Sequence, residues 1–244
     1  MVSKNQIKRI TALHLKKNRI TERLFIAEGM KVIQEFVNAG FVLTDFFTTN
    51  PDLQISKEIP AQWVTESELK KMSCLQTPNT CLAVFEMPQT KNIKKEGLIL
   101  ALDSIRDPGN LGTIIRLCDW FGIEHLICSE ETVDVFNPKV IQSTMGSLAR
   151  VSVTYTSLRL FIEESQLPVY GAFMEGESIY QKTLPKNCIL VMGNEANGIS
   201  TEIEHQVQQK ISIPRFGTIQ MTESLNVATA TAIFMSEYAR INEM

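Results

Sequence analysis

Three apolar runs of this sequence are each followed by a loop of polar and charged side chains. The first loop leads into Asn110 and Arg116, the second spans 193–198 (GNEANG), and the third ends in SLN at 224–226. Their amide, carboxylate, hydroxyl and guanidinium groups can orient a ligand, hold an anion or stabilise developing negative charge. We therefore interpret the loops as candidates for one shared ligand site. Taken singly, each also fits a structural role: a capped helix with a surface arginine, a tight turn, and a helix N-cap.

The second loop argues against two common nucleotide sites. Gly193 and Gly198 form half of a phosphate-binding P-loop, and Ser200 stands at its serine or threonine position. Ile199 replaces the essential phosphate-binding lysine, so this is not a P-loop. The chain has no G-x-G-x-x-G run, so a dinucleotide site of the Rossmann type is unsupported. We expect Gly193 instead to let a ligand approach the backbone closely, with loop amides and carbonyls pairing the edge of a heterocycle.

The elements that must position these loops are strands of a predicted sheet. Strand-like runs recur from residue 98 onward, with helical patterns in most of the intervals: LILALD, HLICS, VSVTY, PVYGAF, CILVMG and KISIP. Because the runs are apolar throughout rather than alternating, we expect an α/β fold with a mostly parallel sheet and helices on both faces. Such sheets bind ligands beyond the carboxyl ends of their strands, where these loops begin.

The start of the helix after the first loop decides where Asn110 points. Pro108 and Gly109 turn the chain, and Asn110 is expected to cap the helix that carries Arg116. Six residues are about 1.7 helical turns, so the two side chains face the strand end together only if Asn110 lies in the loop.

Composition is typical of a globular chain without a membrane segment. Of 244 residues, 44% are hydrophobic, yet the longest apolar runs fall well short of the roughly 18–20 residues that span a bilayer. The N-terminal stretch lacks the apolar core of a signal peptide, so we expect a cytoplasmic protein. The cysteines never stand in C-x-x-C spacing, which favours reduced core thiols over a disulfide framework or a metal site. They are Cys74, Cys81, Cys118, Cys128 and Cys188.

Residues 1–88 are predicted to form a small α/β domain of their own. A basic amphipathic helix near 4–16 precedes a strand at 23–27 and a helix that ends at Gly40. Polar residues and lysines then separate apolar runs, so we predict a linker at 89–97 and a second domain over 98–244. The net charge is −3, but the N-terminal segment is basic, which fits either a polyanion site or an ordinary solvated helix face.

Short motifs of the second domain follow one another in a fixed order: N-x-x-x-x-x-R at 110–116, G-x-E-x-x-G at 193–198, I-P at 213–214 and S-L-N-V at 224–227. They resemble the SpoU (TrmH-like) family of RNA 2′-O-ribose methyltransferases in the SPOUT superfamily, over 98–244. Residues 1–88 resemble, more loosely, the L30e-like substrate-binding domain of many members. Two departures are Ala196, where many members have glycine, and a 217–224 loop that is longer than usual.

The resemblance implies a cofactor, an assembly and a set of site residues. Members bind S-adenosylmethionine in a C-terminal trefoil knot and act as homodimers through the C-terminal domain, to which the small residues Ala228, Ala230 and Ala232 are suited as a close-packing interface. By match, the cofactor is held by Gly193, Asn194, Ile213 and Leu225. The matched catalytic residues are Asn110, Arg116, Glu195, Ser224 and Asn226. The cations expected to contact the RNA substrate are Lys8, Arg9, Lys16, Lys17, Arg19 and Arg23. No metal is implied.

Arg116 has the central catalytic role in the family proposal, sometimes as a general base. A guanidinium keeps its proton in folded proteins, so we favour a role in which Arg116 pins an RNA phosphate and stabilises developing alkoxide charge. Two other functions stay open: a non-catalytic RNA-binding protein that retains the fold, and a methyltransferase that acts on a base nitrogen. The sequence also leaves open whether the RNA is ribosomal or transfer RNA.

Overall fold

The computed structural model describes residues 2–89, 93–218, 221 and 224–242. The chain divides into two compact units, one formed by Met1–Gln89 with Asp134–Arg150 and the other by Thr90–Val133 with Val151–Met244. The domain boundaries at 88 and 98 stay a prediction, to which the packing adds that 134–150 lies with the N-terminal unit. Residues 90–92 of the predicted linker lie outside the described residues.

Helices and strands alternate along most of the chain. In chain order they are α1 (Lys4–Ala12), α2 (Lys16–Glu22), β1 (Leu24–Glu28), α3 (Met30–Asn38), β2 (Leu43–Thr48), β3 (Gln62–Trp63), α4 (Glu66–Met72), β4 (Cys81–Glu86), β5 (Leu98–Leu102), α5 (Pro108–Trp120), β6 (His125–Cys128), α6 (Pro138–Thr144), a 3-10 helix (Ser147–Ala149), β7 (Ser152–Tyr155), α7 (Leu158–Ser165), β8 (Val169–Ser178), β9 (Cys188–Met192), α8 (Thr201–Glu204), β10 (Gln209–Ser212) and α9 (Val227–Asn242). The strands predicted from residue 98 onward are confirmed as β5 to β10.

The first unit is built on a four-stranded sheet in the order β1-β4-β2-β3. Strand β4 runs antiparallel to β1 and β2, and β3 pairs parallel with the end of β2. The predicted basic helix over 4–16 is in fact two helices, because α1 ends at Ala12 and the chain turns before α2 begins at Lys16. Gly40 has a φ of 78°, the left-handed conformation predicted for it after α3.

The segment 134–150 belongs to the core of this first unit. Its helix α6 packs against β1, and the Phe136 ring centroid lies 4.9 Å from that of Phe25. Asp134 at its start forms an ion pair of 2.6 Å with Arg19. The packing unit therefore draws on residues that are far apart in the chain.

The second unit is a six-stranded sheet ordered β10-β8-β9-β5-β6-β7. Every neighbouring pair runs parallel, as the continuous apolar runs predict. All residues of the central strands β5 and β9 are buried, so both faces of the sheet are covered. Because parallel strands share one direction, the loops after β5, β9 and β10 leave the same edge of the sheet.

The thiols are free, and most of them are buried. Burial raises the pKa of the Cys74 and Cys188 thiols to about 12, so they stay protonated at neutral pH. Within the described ranges, no helix is long and apolar enough to cross a membrane. The same residues contain no group of three or more histidine, cysteine, aspartate or glutamate side chains arranged to hold a metal ion.

Candidate functional site

Side chains from the first turn of α5, from the 193–198 loop and from the residue before α9 form one network of hydrogen bonds at the carboxyl edge of the parallel sheet. Asn226 donates from Nδ2 to Oδ1 of Asn110 over 2.9 Å. Asn110 in turn donates from its own Nδ2 to Oε1 of Glu195 over 2.7 Å. The structure thus brings together three residues predicted to be catalytic, which we call the site network.

Helix α9 fixes the direction of these hydrogen bonds. Asn226 directly precedes the helix, and its Oδ1 accepts from the backbone N–H groups of Ala228 and Thr229 over 2.9 and 3.2 Å. Because Oδ1 is engaged there, Nδ2 faces Asn110, and the Asn110 amide must present its Nδ2 to Glu195. The predicted cap at this helix start is confirmed for Asn226, and it orients the whole network.

Asn110 lies inside α5 and does not cap it. The cap is Asp107, whose side chain accepts from the Asn110 N–H over 2.8 Å, and Pro108 occupies the first turn. The prediction that Asn110 caps the helix is therefore wrong, because a carboxylate three residues earlier takes that place. Since both residues are helical, Asn110 and Arg116 project about 120° apart around α5.

Arg116 is a predicted catalytic residue that the site network does not include. Its side chain is exposed and forms no hydrogen bond or ion pair with any residue that the structure describes. Its position on α5 is about 9 Å along the axis from Asn110. Trp120, four residues later on the same helix face, is 84% exposed. A single chain therefore presents Arg116 and Trp120 to solvent, away from the network.

The loop 193–198 is a tight hairpin. Asn194 and Gly198 exchange backbone hydrogen bonds of 2.9 and 2.8 Å. The Asn194 Oδ1 also accepts from the N–H groups of Ala196 and Asn197. A Cβ atom on Gly193 would lie 2.3 Å from the backbone of Gly198. The missing side chain makes room for the chain's own backbone, and the expectation that Gly193 also lets a ligand approach stays a prediction.

Two residues directly after β5 anchor this hairpin, and the sequence motifs do not include them. The buried Asp103 carboxylate accepts from the Ser200 N–H over 2.7 Å and from the Ser104 hydroxyl over 3.1 Å. The Ser104 carbonyl accepts from Asn194 Nδ2 over 2.6 Å. The hairpin is thus tied to the β5 end on both sides. The available signal in the sequence is an acid that directly follows an apolar strand.

A cavity of about 1010 Å³ opens beside the site network. Its volume is near the upper end of the usual range of about 300–1,000 Å³ for small-molecule sites. The lining includes every residue predicted to hold the cofactor and two that are predicted to be catalytic: Gly193, Asn194, Ile213, Leu225, Glu195 and Ser224. Residues 219, 220, 222 and 223 of the long 217–224 loop lie outside the described residues.

The lining fits a positively charged ligand that carries a flat heterocycle. Ile213, Leu225 and Phe234 offer apolar contacts for the faces of a ring. The lining carries charges of both signs, with Lys210 paired to Glu204 and Arg215 as a further cation. The carboxylates of Glu175 and Glu195 can attract a cation, while Arg215 can attract a carboxylate such as that of a methionine group. S-adenosylmethionine combines an adenine ring with a positive sulfonium, so these residues fit the cofactor that the resemblance implies.

Arg19 is not a residue that can bind RNA. It is 2% exposed, pairs with Asp134, and donates from Nη1 to the carbonyl oxygens of Leu13 and His14 over 2.9 and 2.8 Å. The prediction for Arg19 is therefore wrong, because a guanidinium enclosed by protein acceptors cannot reach a phosphate.

The other cations predicted to contact RNA lie at the surface of the first unit. Arg9 is held near Glu22 at 3.3 Å, and Arg23 donates to two backbone carbonyls over 3.3 Å. The remaining ones are exposed lysines that pair with no described residue: Lys8, Lys16 and Lys17. These lysines are the cations most accessible to a phosphate.

Comparison with known proteins matches both parts of the chain. The SpoU rRNA Methylase family model matches residues 97–236, and the MRM3-like substrate binding domain model matches residues 4–83. The 23S rRNA (guanosine(2553)-2′-O)-methyltransferase RlmP of Bacillus subtilis is 28% identical over 242 residues, which cover 96% of each chain.

Solved structures match over nearly the whole chain. A protein of the TrmH family from Porphyromonas gingivalis has a TM-score of 0.88 and 38% identity, covering 98% of this chain and 99% of that chain. The AdoMet-bound rRNA methyltransferase from Sinorhizobium meliloti has a TM-score of 0.86 and 28% identity, covering 98% of this chain and 97% of that chain.

Proposed function

This chain belongs to the SpoU rRNA Methylase family, and we propose that it methylates the ribose 2′-hydroxyl of a guanosine in 23S ribosomal RNA. It is an RNA 2′-O-methyltransferase, and S-adenosylmethionine is its methyl donor. The choice of ribosomal RNA rests on full-length similarity to RlmP, whose name specifies that substrate. The site network, which lies beside the cavity, is the structural observation that supports this assignment. The cytoplasm is the proposed location, since the RNA substrate lies there.

We assign the methyl donor to the cavity and its contacts to the loops that line it. When bound, S-adenosylmethionine supplies a methyl group activated by a sulfonium. Gly193, Ile213 and Leu225 would hold it through backbone and apolar contacts, while Asn194 keeps the hairpin closed. The family further implies that the chain forms a trefoil knot around this site.

The site network would orient the ribose. A ribose hydroxyl is a weak nucleophile, so the enzyme must align it with the donor and favour its deprotonated form. Asn110 occupies Oε1 of Glu195, which leaves Oε2 to accept a hydrogen bond from a ribose hydroxyl. Ser224, which also lines the cavity, adds a hydroxyl at the same place.

We infer a homodimer in which Arg116 acts on the site of the other copy. Arg116 has no partner among the described residues and projects about 120° away from Asn110 on the same helix. Trp120 on that face is 84% exposed, and large exposed apolar side chains favour burial against another protein surface. A second copy covering this face would bring its Arg116 to the network, where the positive charge holds a phosphate and stabilises the forming alkoxide.

We assign RNA selection to the first unit, through its exposed basic residues. Lys8, Lys16 and Lys17 are the principal phosphate contacts in this proposal, with Arg9 and Arg23 beside them. Each contact with a phosphate releases counterions, so removing these cations should weaken RNA binding and flatten its salt dependence.

The test is a map of 2′-O-methyl groups in total RNA from a strain that lacks the gene. We expect one 23S guanosine to lose its methyl group, and the wild-type gene but not Asn110→Ala to restore it. If the methyl group is lost from transfer RNA instead, the substrate is transfer RNA; if a methyl group is lost from a base, the enzyme does not act on ribose. If no methyl group is lost although the protein binds RNA, the result favours the non-catalytic alternative.

A further inference from the structure

An exposed aromatic pair lies in the lining of the cavity. Tyr180 and Phe216 both line it, and their ring centroids lie 6.5 Å apart with an interplanar angle of 41°. Tyr180 is 49% exposed and Phe216 is 78% exposed. The two rings are tilted and do not stack on each other, and both side chains are exposed enough for a base to contact them.

The other aromatic side chains of the lining are already covered. Lys210 places its Nζ 4.6 Å from the ring centroid of Phe173, and Phe234 is buried. Met174, also in the lining, is half exposed and adds an apolar side chain to it. Exposed apolar side chains in the lining of a cavity are typical of a binding site.

The distance that methyl transfer requires limits which part of the RNA can reach this surface. The attacking hydroxyl must come within about 3–3.5 Å of the methyl carbon, so the target nucleotide enters at the opening of the cavity that holds the donor. The base attached to that ribose enters beside the lining of the cavity, and in a single-stranded loop or bulge of RNA its faces are free of neighbouring bases. Unstacked bases are bound by aromatic rings, which meet the face of any base.

We propose that Tyr180 and Phe216 form a stacking platform for the base of the nucleotide that is methylated. This assignment rests on the proposed function, because it adds a base subsite to the cavity assigned to the methyl donor. The platform supplies affinity and holds the ribose near the site network, and it takes no part in the chemical step.

Leucine variants test the platform, because leucine keeps an apolar side chain and removes the ring. Phe216→Leu and Tyr180→Leu should each raise the KM for RNA about tenfold to a hundredfold. Phe216→Tyr and Tyr180→Phe keep the ring and should stay close to wild type. Leu160→Ala, which truncates a 54% exposed side chain on α7 outside the lining, is the matched surface control. The affinity for S-adenosylmethionine, measured by calorimetry, should be unchanged in every variant.

A binding assay separates this inference from the proposed function. A single-stranded RNA that contains 2-aminopurine should lose fluorescence on stacking against the wild-type full chain, and far less against the leucine variants. If the wild type transfers no methyl group, the proposed function fails while this assay still tests the platform. Equal quenching by all variants overturns the platform. So does a loss of S-adenosylmethionine affinity with unchanged RNA binding, or a loss of dimer by light scattering.

Discussion

The cap that Asn226 forms on α9 fixes which atom donates in each hydrogen bond of the site network. Reversing the hydrogen bond between Asn110 and Glu195 tests whether the network is needed for activity. Asn110→Asp replaces an amide donor with a carboxylate at the position 2.7 Å from Glu195 Oε1. Two facing carboxylates repel each other and displace the side chain that orients the ribose. We expect methyl transfer in single turnover to fall by about a hundredfold.

Adding Glu195→Gln to Asn110→Asp restores one donor opposite one acceptor, with the bond reversed. The double variant should therefore transfer the methyl group faster in single turnover than Asn110→Asp alone. Defects that simply add would contradict a direct interaction between the two residues.

Arg116 tests whether charge or proton removal drives the reaction. If it acts through charge, Arg116→Lys keeps a cation without the planar fork, so its activity should lie between those of wild type and Arg116→Ala. Cofactor affinity should barely change in either variant. The measurement is single-turnover methyl transfer against pH. Lysine releases its proton at lower pH than arginine, so a preserved maximal rate with a profile shifted to lower pH would establish Arg116 as the base instead.

At the scale of elements, the sequence is informative where one local pattern dominates. Continuous apolar runs predict β5 to β10 and their parallel pairing correctly, because a buried strand needs apolar side chains on both faces. The start of α5 was also readable, since an aspartate before a proline is a strong cap signal that outranks Asn110. The role of Gly193 was not readable, because it depends on a contact with Gly198 across a folded hairpin.

The hairpin of 193–198 is the element whose shape the cavity depends on most directly. In Gly193→Ala, the new Cβ would meet the Gly198 backbone at 2.3 Å, so the hairpin must open. We expect S-adenosylmethionine binding, measured by calorimetry, to weaken at least about tenfold, since backbone contacts to the ligand move by a fraction of an ångström or more. Ala196→Gly is the matched control on the same hairpin, because Ala196 is exposed and its replacement introduces no clash. Equal binding by wild type and Gly193→Ala would remove the hairpin from the cofactor site.

At the scale of the whole chain, Arg19 joins segments that the sequence keeps far apart. Its partner Asp134 follows 115 residues later, which is why a basic N-terminal segment gave no sign that this cation is buried. Removing one member of a buried ion pair leaves the other unpaired, so Arg19→Met should lower the free energy of unfolding by about 3–5 kcal/mol.

The matched control for Arg19 is Lys17→Met, on the same helix α2 but exposed. It should change the free energy of unfolding by less than about 0.5 kcal/mol and instead weaken RNA binding. Denaturant unfolding and salt-dependent RNA titrations measure the two effects. A stable Arg19→Met with weakened RNA binding would return Arg19 to the RNA surface. Deleting residues 1–97 would not serve as a test of RNA binding, because it would also remove β1, the strand against which α6 packs.

The proposed dimer makes a prediction that no single chain can satisfy. Light scattering should give about twice the 27.5 kDa mass of one chain.

Asn110→Ala and Arg116→Ala should each be inactive as homodimers, because every site lacks one of the two groups. Mixed and reassembled, half of the dimers pair one variant with the other, and one of their two sites then combines an intact Asn110 with the partner's intact Arg116. The mixture should therefore recover about a quarter of the wild-type activity. No recovery from a mixture that demonstrably exchanges subunits would place Arg116 in the site of its own chain, and a fully active monomer would remove the shared site altogether.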